Sequence, residues 1–182
     1  MGRVTDGRRK NNLFTLTVLS AIPLVLALLL GQGRNEGEVF PSQVVSVVGE
    51  SIELPALAEK MTIVVVAVKA TWCPVCQNQL SRIKDQLDEF RRCNVTFLVL
   101  SPGPRDGILK LQESTGFPYP FIEDKNLTIA RSLGLQMTAS EIQPAILILN
   151  PDMTIRWVQK GRNILYYGDP ELMEVLDCGN WI

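Results

Sequence analysis

Two runs of apolar residues in the middle of the chain predict the centre of a sheet. Residues 62–68 and 95–100 are continuous runs rich in β-branched side chains, which is typical of strands covered on both faces. Between the runs, over 75–92, apolar residues recur at steps of three and four, which predicts a helix with one buried face. These residues are Leu80, Ile83, Leu87 and Phe90.

The flanking patterns continue this alternation of strands and helices. Apolar pieces at 44–48 and 52–54 suit an entry strand or hairpin. The later patterns predict two short helices, a hairpin and a closing helix. The short helices are expected at 108–111 and 126–133, the hairpin at 145–149 and 154–158, and the closing helix at 171–176. Asn126 is the expected cap of the second short helix and Gly134 its stop. The order predicts an α/β fold with a central mixed sheet and helices on both faces.

An apolar segment near the N-terminus predicts one transmembrane helix. Residues 13–30 carry no charge and are just long enough to cross a bilayer. Basic residues precede them, namely Arg3, Arg8, Arg9 and Lys10. The positive-inside bias then places the N-terminus in the cytoplasm and the remaining chain outside it or in a lumen. A cleaved signal peptide is the alternative, although the apolar core is long and Gly31-Gln32-Gly33 poorly matches a cleavage site.

These patterns divide the chain into four parts. We expect a basic tail at 1–12, a single-pass signal-anchor at 13–30, a linker at 31–42 and one domain at 43–182. A net charge of −1 and the absence of a basic stripe beyond the tail argue against nucleic acid as a partner.

The candidate chemistry lies in Trp72-Cys73-Pro74-Val75-Cys76, directly after the first buried strand. A helix N-terminus favours thiolate over thiol at the first cysteine, and thiolate is the species that attacks disulfides. Such a pair at a strand-to-helix junction is typical of a redox motif. A closed zinc site would need four ligands, and the chain has no histidine. A purely local disulfide clasp remains a further alternative. We expect no metal and no cofactor.

These residues resemble the thioredoxin-fold superfamily, over roughly residues 44–175. The similarity rests on 70–76, on 143–150 and on the hairpin that follows. It is closest to membrane-anchored thiol–disulfide oxidoreductases and to the peroxiredoxin-like (AhpC/TSA) group. The resemblance implies a thioredoxin-like fold, with Cys73 as the attacking thiolate and Cys76 as the resolving thiol. It also implies supporting roles near the substrate for Trp72, Pro74, Gln143 and Pro144, with Pro144 preceded by a cis peptide bond.

The chain departs from both patterns. Peroxiredoxins carry a Thr three residues before the peroxidatic cysteine, and if Cys76 is that cysteine, Cys73 occupies the Thr position. They also carry an Arg at the position where this chain has Pro144. Thioredoxins carry a buried acid where this chain has Ala67, and Glu141 is a candidate replacement. Lys69 would favour a thiolate if it pointed towards the cysteines.

The sequence therefore predicts a membrane-tethered thiol–disulfide oxidoreductase that acts on protein or small-molecule disulfides. A thiol peroxidase that reduces hydroperoxides is the alternative, and a tethered binding module with a local clasp is the second alternative. Its partners are a thiol or disulfide redox partner and the membrane. The two remaining cysteines, Cys93 and Cys178, are candidates for a disulfide in an exported domain.

Overall fold

The computed structural model describes residues 38–161 and 169–176. The strands are β1 (Gln43–Val45), β2 (Ser51–Glu53), β3 (Thr62–Ala67), β4 (Val95–Ser101), β5 (Phe121–Glu123), β6 (Ala145–Leu149) and β7 (Ile155–Lys160). The helices are α1 (Leu54–Ala58), α2 (Pro74–Asp85), α3 (Leu87–Arg92), α4 (Arg105–Thr115), α5 (Thr128–Ser132) and α6 (Asp169–Leu176). The transmembrane prediction at 13–30 lies outside the described residues. Among the helices that are described, none has the length and apolar character needed to cross a membrane.

Five strands form one mixed sheet in the order β5-β4-β3-β6-β7. β3, β4 and β5 run parallel, whereas β6 and β7 are antiparallel to their neighbours. β1 and β2 pair separately as an antiparallel hairpin. The predicted mixed sheet, entry hairpin and late hairpin are thus confirmed. Strand β5 escaped the sequence patterns, because it is only three residues long and follows Pro118 and Pro120.

Helices cover both faces of the sheet, as the continuous apolar runs predict. Alternate residues of β3 point to opposite faces, so Val64 and Val66 join one core cluster and Ile63 and Val65 the other. The first cluster also contains apolar residues of α2, α3, α4 and α6, and the second contains residues of α1 and α5. Both β3 and β4 are buried along almost their whole length. The strand that carries the cysteine motif is therefore held from both sides.

The helix expected over 75–92 is broken into α2 and α3. Gln86 leaves the helical conformation (φ −106°, ψ 9°), and its carbonyl accepts hydrogen bonds from Glu89 and Phe90 as a new helix begins. Both helices still bury the predicted apolar face, since Leu80 and Ile83 of α2 and Leu87 and Phe90 of α3 are buried.

The cap expected of Asn126 is supplied by another residue. The buried Asp124 carboxylate accepts the Ile129 N–H at 3.2 Å and the Ala130 N–H at 2.8 Å. The expectation for Asn126 is wrong because Asp124 reaches these donors from the end of β5. The predicted stop at Gly134 agrees with its left-handed conformation (φ +59°).

Candidate active site

The two motif cysteines lie at the start of α2, just beyond the carboxyl end of β3. Cys73 is the N-cap residue, in an extended conformation (φ −75°, ψ 109°), and Pro74 begins the helix. Proline suits this position because its φ is already helical and its missing N–H would have no partner in the helix. Cys76 follows in the first turn and is completely buried. The helix thus brings both predicted cysteines together.

The hydrogen bonds around the two sulfur atoms differ. The Cys76 N–H donates to Cys73 Sγ at 3.3 Å, and the Lys69 N–H donates to Cys76 Sγ at 3.4 Å. Neither of these two cysteines is in a disulfide, and Cys73 is 3% exposed. The hydrogen bond with Cys73 raises the pKa of the Cys76 thiol, and burial raises it further. Since a helix N-terminal N–H favours negative charge on Cys73, the geometry suits a Cys73 thiolate beside a protonated Cys76.

The side chain of Lys69 lies between Glu141 and Trp72. Its Nζ is 3.5 Å from Glu141 Oε1 and 5.3 Å from the centroid of the Trp72 ring. The Lys69 carbonyl also accepts the Ile142 N–H at 3.2 Å, which ties the chain before β6 to the cysteine loop. Glu141, the candidate replacement acid, therefore pairs with a cation, and the ion pair holds the rim of the site together.

Trp72 is a surface residue of the site rather than part of the core. Its side chain is 64% exposed, although it directly precedes the buried Cys73. An exposed indole beside the cysteine pair offers a flat apolar surface to a ligand.

The cis peptide bond expected before Pro144 is absent. Within the described residues the cis bond is Gly103–Pro104 instead. Pro144 directly precedes β6, and its carbonyl accepts the Gly161 N–H at 2.8 Å, one residue beyond the β6–β7 pairing. The Gln143 side chain donates to the carbonyl of the same Gly161 at 3.2 Å. Both residues thus have structural bonds to the end of β7.

Two positions lack the groups that the peroxiredoxin pattern carries. Counted from Cys73, the position three residues earlier is the buried Ala70, and Pro144 occupies the Arg position. The nearest hydroxyl in sequence, on Thr71, faces Gly107 of α4: a Cβ built on Gly107 would lie 2.6 Å from Thr71 Oγ1. Sequence reasoning missed this contact. A glycine inside a helical pattern was the available signal, since it often marks close packing.

The other cysteines and acidic residues add no metal centre to the site. Among the described residues, no group of three or more His, Cys, Asp or Glu side chains is placed to hold a metal ion. Cys93 is disulfide-bonded, whereas its candidate partner Cys178 lies outside the described residues.

Comparison with known proteins places the chain among thioredoxin-like folds. The model of the AhpC/TSA family matches residues 37–158. Among solved structures, peroxidoxin BcpB from Mycobacterium tuberculosis is 18% identical with a TM-score of 0.65, over 79% of this chain and 94% of that one. Peroxiredoxin Q from Xanthomonas campestris is 14% identical with a TM-score of 0.66, over 80% and 99%. A mutant of peroxiredoxin 6 from Arenicola marina is 22% identical with a TM-score of 0.60, over 80% and 73%. No curated protein matches the chain.

Proposed function

This chain belongs to the AhpC/TSA family, and we propose that it is a thiol peroxidase acting through Cys73 and Cys76. The chain is a thioredoxin-fold oxidoreductase. The structures it resembles are named as peroxiredoxins, and this favours hydroperoxide reduction over the disulfide exchange that the sequence put first. The observation that carries the proposal is the hydrogen bond from the Cys76 N–H to Cys73 Sγ, which sets one sulfur apart as the nucleophile.

The proposed cycle has three balanced steps. The Cys73 thiolate attacks the terminal oxygen of a hydroperoxide ROOH, and the O–O bond breaks as the OH group passes to sulfur to give a sulfenic acid. The alkoxide RO⁻ leaves and takes a proton from solvent to become ROH. The Cys76 thiol then attacks the sulfenic sulfur, which forms the Cys73–Cys76 disulfide and releases water. A dithiol reductant returns both cysteines to thiols and becomes a disulfide itself.

The state of Cys76 leaves the first step of this cycle to Cys73. Its raised pKa keeps the thiol protonated, so it does not compete with Cys73 for the peroxide. Because Cys73 caps the helix in which Cys76 lies, the two sulfur atoms are neighbours before the reaction begins. Resolution within one chain therefore needs no second subunit.

Disulfide exchange is the second candidate function, and one observation favours it. Ala70 and Pro144 stand where a peroxiredoxin carries its Thr and Arg, so neither a hydroxyl nor a guanidinium from these positions stabilises the departing oxygen. Disulfide exchange needs no such group, because a thiolate leaves instead. In this case Cys73 attacks a substrate disulfide and Cys76 resolves the mixed disulfide.

Two assays on the same protein distinguish these functions. We expect the wild type to consume cumene hydroperoxide with dithiothreitol as reductant, and Cys73→Ser to be inactive. The Cys76→Ser variant should accumulate a sulfenic acid that dimedone labels on Cys73. Insulin reduction without hydroperoxide consumption would refute the peroxidase proposal and establish the second candidate. If the protein is active in neither assay, the remaining candidate is a tethered binding module in which the two cysteines form only a local clasp.

We also propose that a membrane anchor at 13–30 tethers the domain outside the cytoplasm. The apolar length of the segment and the basic residues before it support this topology. A disulfide at Cys93 suits an oxidising compartment. The full chain should resist carbonate extraction from membranes, and protease should digest the domain only from the extracytoplasmic side. Release by carbonate would contradict the anchor.

A further inference from the structure

A cleft of about 350 Å³ adjoins the cysteine motif. Thr71, Trp72 and Gln77 line one side, and Gly107, Lys110, Leu111 and Ser114 of α4 line the other. Thr71 and Trp72 directly precede Cys73, and the Gln77 N–H donates to the Cys73 carbonyl at 3.1 Å. The cleft therefore lies where the part of a substrate that does not react would extend from the nucleophile.

Both walls of the cleft are held in place by packing. Helix α4 approaches the cysteine loop so closely that a Cβ on Gly107 would meet Thr71 Oγ1 at 2.6 Å. The Lys69 ammonium, which is paired with Glu141, lies 5.3 Å from the centroid of the Trp72 ring. A site whose walls are already ordered loses less entropy when a ligand binds.

The charge of the cleft is carried by one residue. Lys110 is the one ionisable side chain among its lining residues. Within the described part of the chain, no carboxylate lies at ion-pair distance from the Lys110 ammonium. Trp72 and Leu111 supply apolar surface beside it. A ligand that matches this arrangement has an apolar body and a carboxylate at the end remote from the reacting group.

We propose that this cleft binds the organic part of the substrate, and that Lys110 selects organic hydroperoxides that carry a carboxylate. This inference rests on the proposed peroxidase function. The volume lies at the lower end of ligand pockets, which run from about 300 to 1,000 Å³. A single substituted ring or a short chain fits that volume, so the substrate class is small organic acids bearing a hydroperoxide.

The test compares a charged substrate with its neutral methyl ester. The two substrates are cumene hydroperoxide with a para-carboxylate and the methyl ester of that compound. Each is assayed with wild type, Lys110→Gln and Lys110→Arg. We expect the wild type to prefer the acid over the ester in kcat/KM by about three- to five-fold, the range of one partly exposed ion pair, through KM rather than kcat. The preference should vanish in Lys110→Gln and persist in Lys110→Arg. Lys60→Gln is the matched control, because Lys60 is an exposed lysine that precedes β3, whereas the cysteine motif follows the other end of that strand.

A binding measurement keeps the cleft testable without turnover. The unreactive 4-isopropylbenzoate should shift the amide NMR signals of Gly107 and Lys110 in the wild type, and its methyl ester should shift them less. If the acid-to-ester ratio of kcat/KM is the same in wild type and in Lys110→Gln, the proposed role of Lys110 is overturned. Turnover of the ester would in that case still support the peroxidase. If neither hydroperoxide is consumed, the peroxidase fails, and the NMR shifts alone decide whether the cleft binds carboxylates.

Discussion

Replacing Gly107 by alanine tests how closely α4 packs against the cysteine loop. The new Cβ would lie 2.6 Å from Thr71 Oγ1, 3.0 Å from Thr71 Cβ and 3.2 Å from Thr71 Cγ2. Rotation about χ1 of Thr71 can move the oxygen and the methyl group, but it leaves Cβ where it is. The backbone of α4 or of the loop must therefore shift.

Two opposing effects set the magnitude. Alanine in a helix is more favourable than glycine by about 1 kcal/mol, whereas overpacking costs about 1–3 kcal/mol. We expect Gly107→Ala to lower the free energy of unfolding by roughly 0–2 kcal/mol, and to raise the KM for hydroperoxide because the cleft walls move.

A double-mutant cycle with Thr71→Ala isolates the contact. Truncation of Thr71 removes Oγ1 and Cγ2, two of the three atoms that the new Cβ would meet, and leaves only the contact with Thr71 Cβ at 3.0 Å. In that background, Gly107→Ala should be less destabilising by about 1–2 kcal/mol than in the wild type. Urea unfolding of the four proteins measures this coupling. The close approach would be refuted if Gly107→Ala stabilised the protein by about 1 kcal/mol, the helix preference for alanine over glycine, and showed no coupling to Thr71.

Three further predictions follow from the described contacts. Asp124→Ala should lower the free energy of unfolding by about 1–2 kcal/mol in urea melts, because two N–H groups of α5 lose their acceptor; an unchanged value would contradict the cap. Peptide mapping without reductant should find Cys93 linked to Cys178, and a Cys93 linked elsewhere would show that pairing to be wrong. If the chain also exchanges disulfides, Cys76→Ser should retain a partner through a dithiothreitol-sensitive bond and Cys73→Ser should not; equal adducts on both would reverse the roles of nucleophile and resolver.

The parts of the protein predictable from sequence depend on residues close together in the chain. The apolar runs of β3 and β4 identify buried strands, because a strand covered on both faces has no polar side to alternate with. The motif Cys73 to Cys76 lies within one turn of a helix whose start is marked by Pro74. Its geometry follows from local helix rules alone.

Contacts between distant segments were decided only by the tertiary structure. The Gly107–Thr71 approach and the Lys69–Glu141 ion pair each join elements that no periodicity relates. The cis bond expected before Pro144 is not found, and the Pro144 carbonyl instead accepts the N–H of Gly161, directly after β7. Hydrophobic spacing reports which face of an element is buried, but not which neighbour buries it. The identity of that neighbour depends on how the whole sheet assembles, and it shapes the cleft beside Cys73.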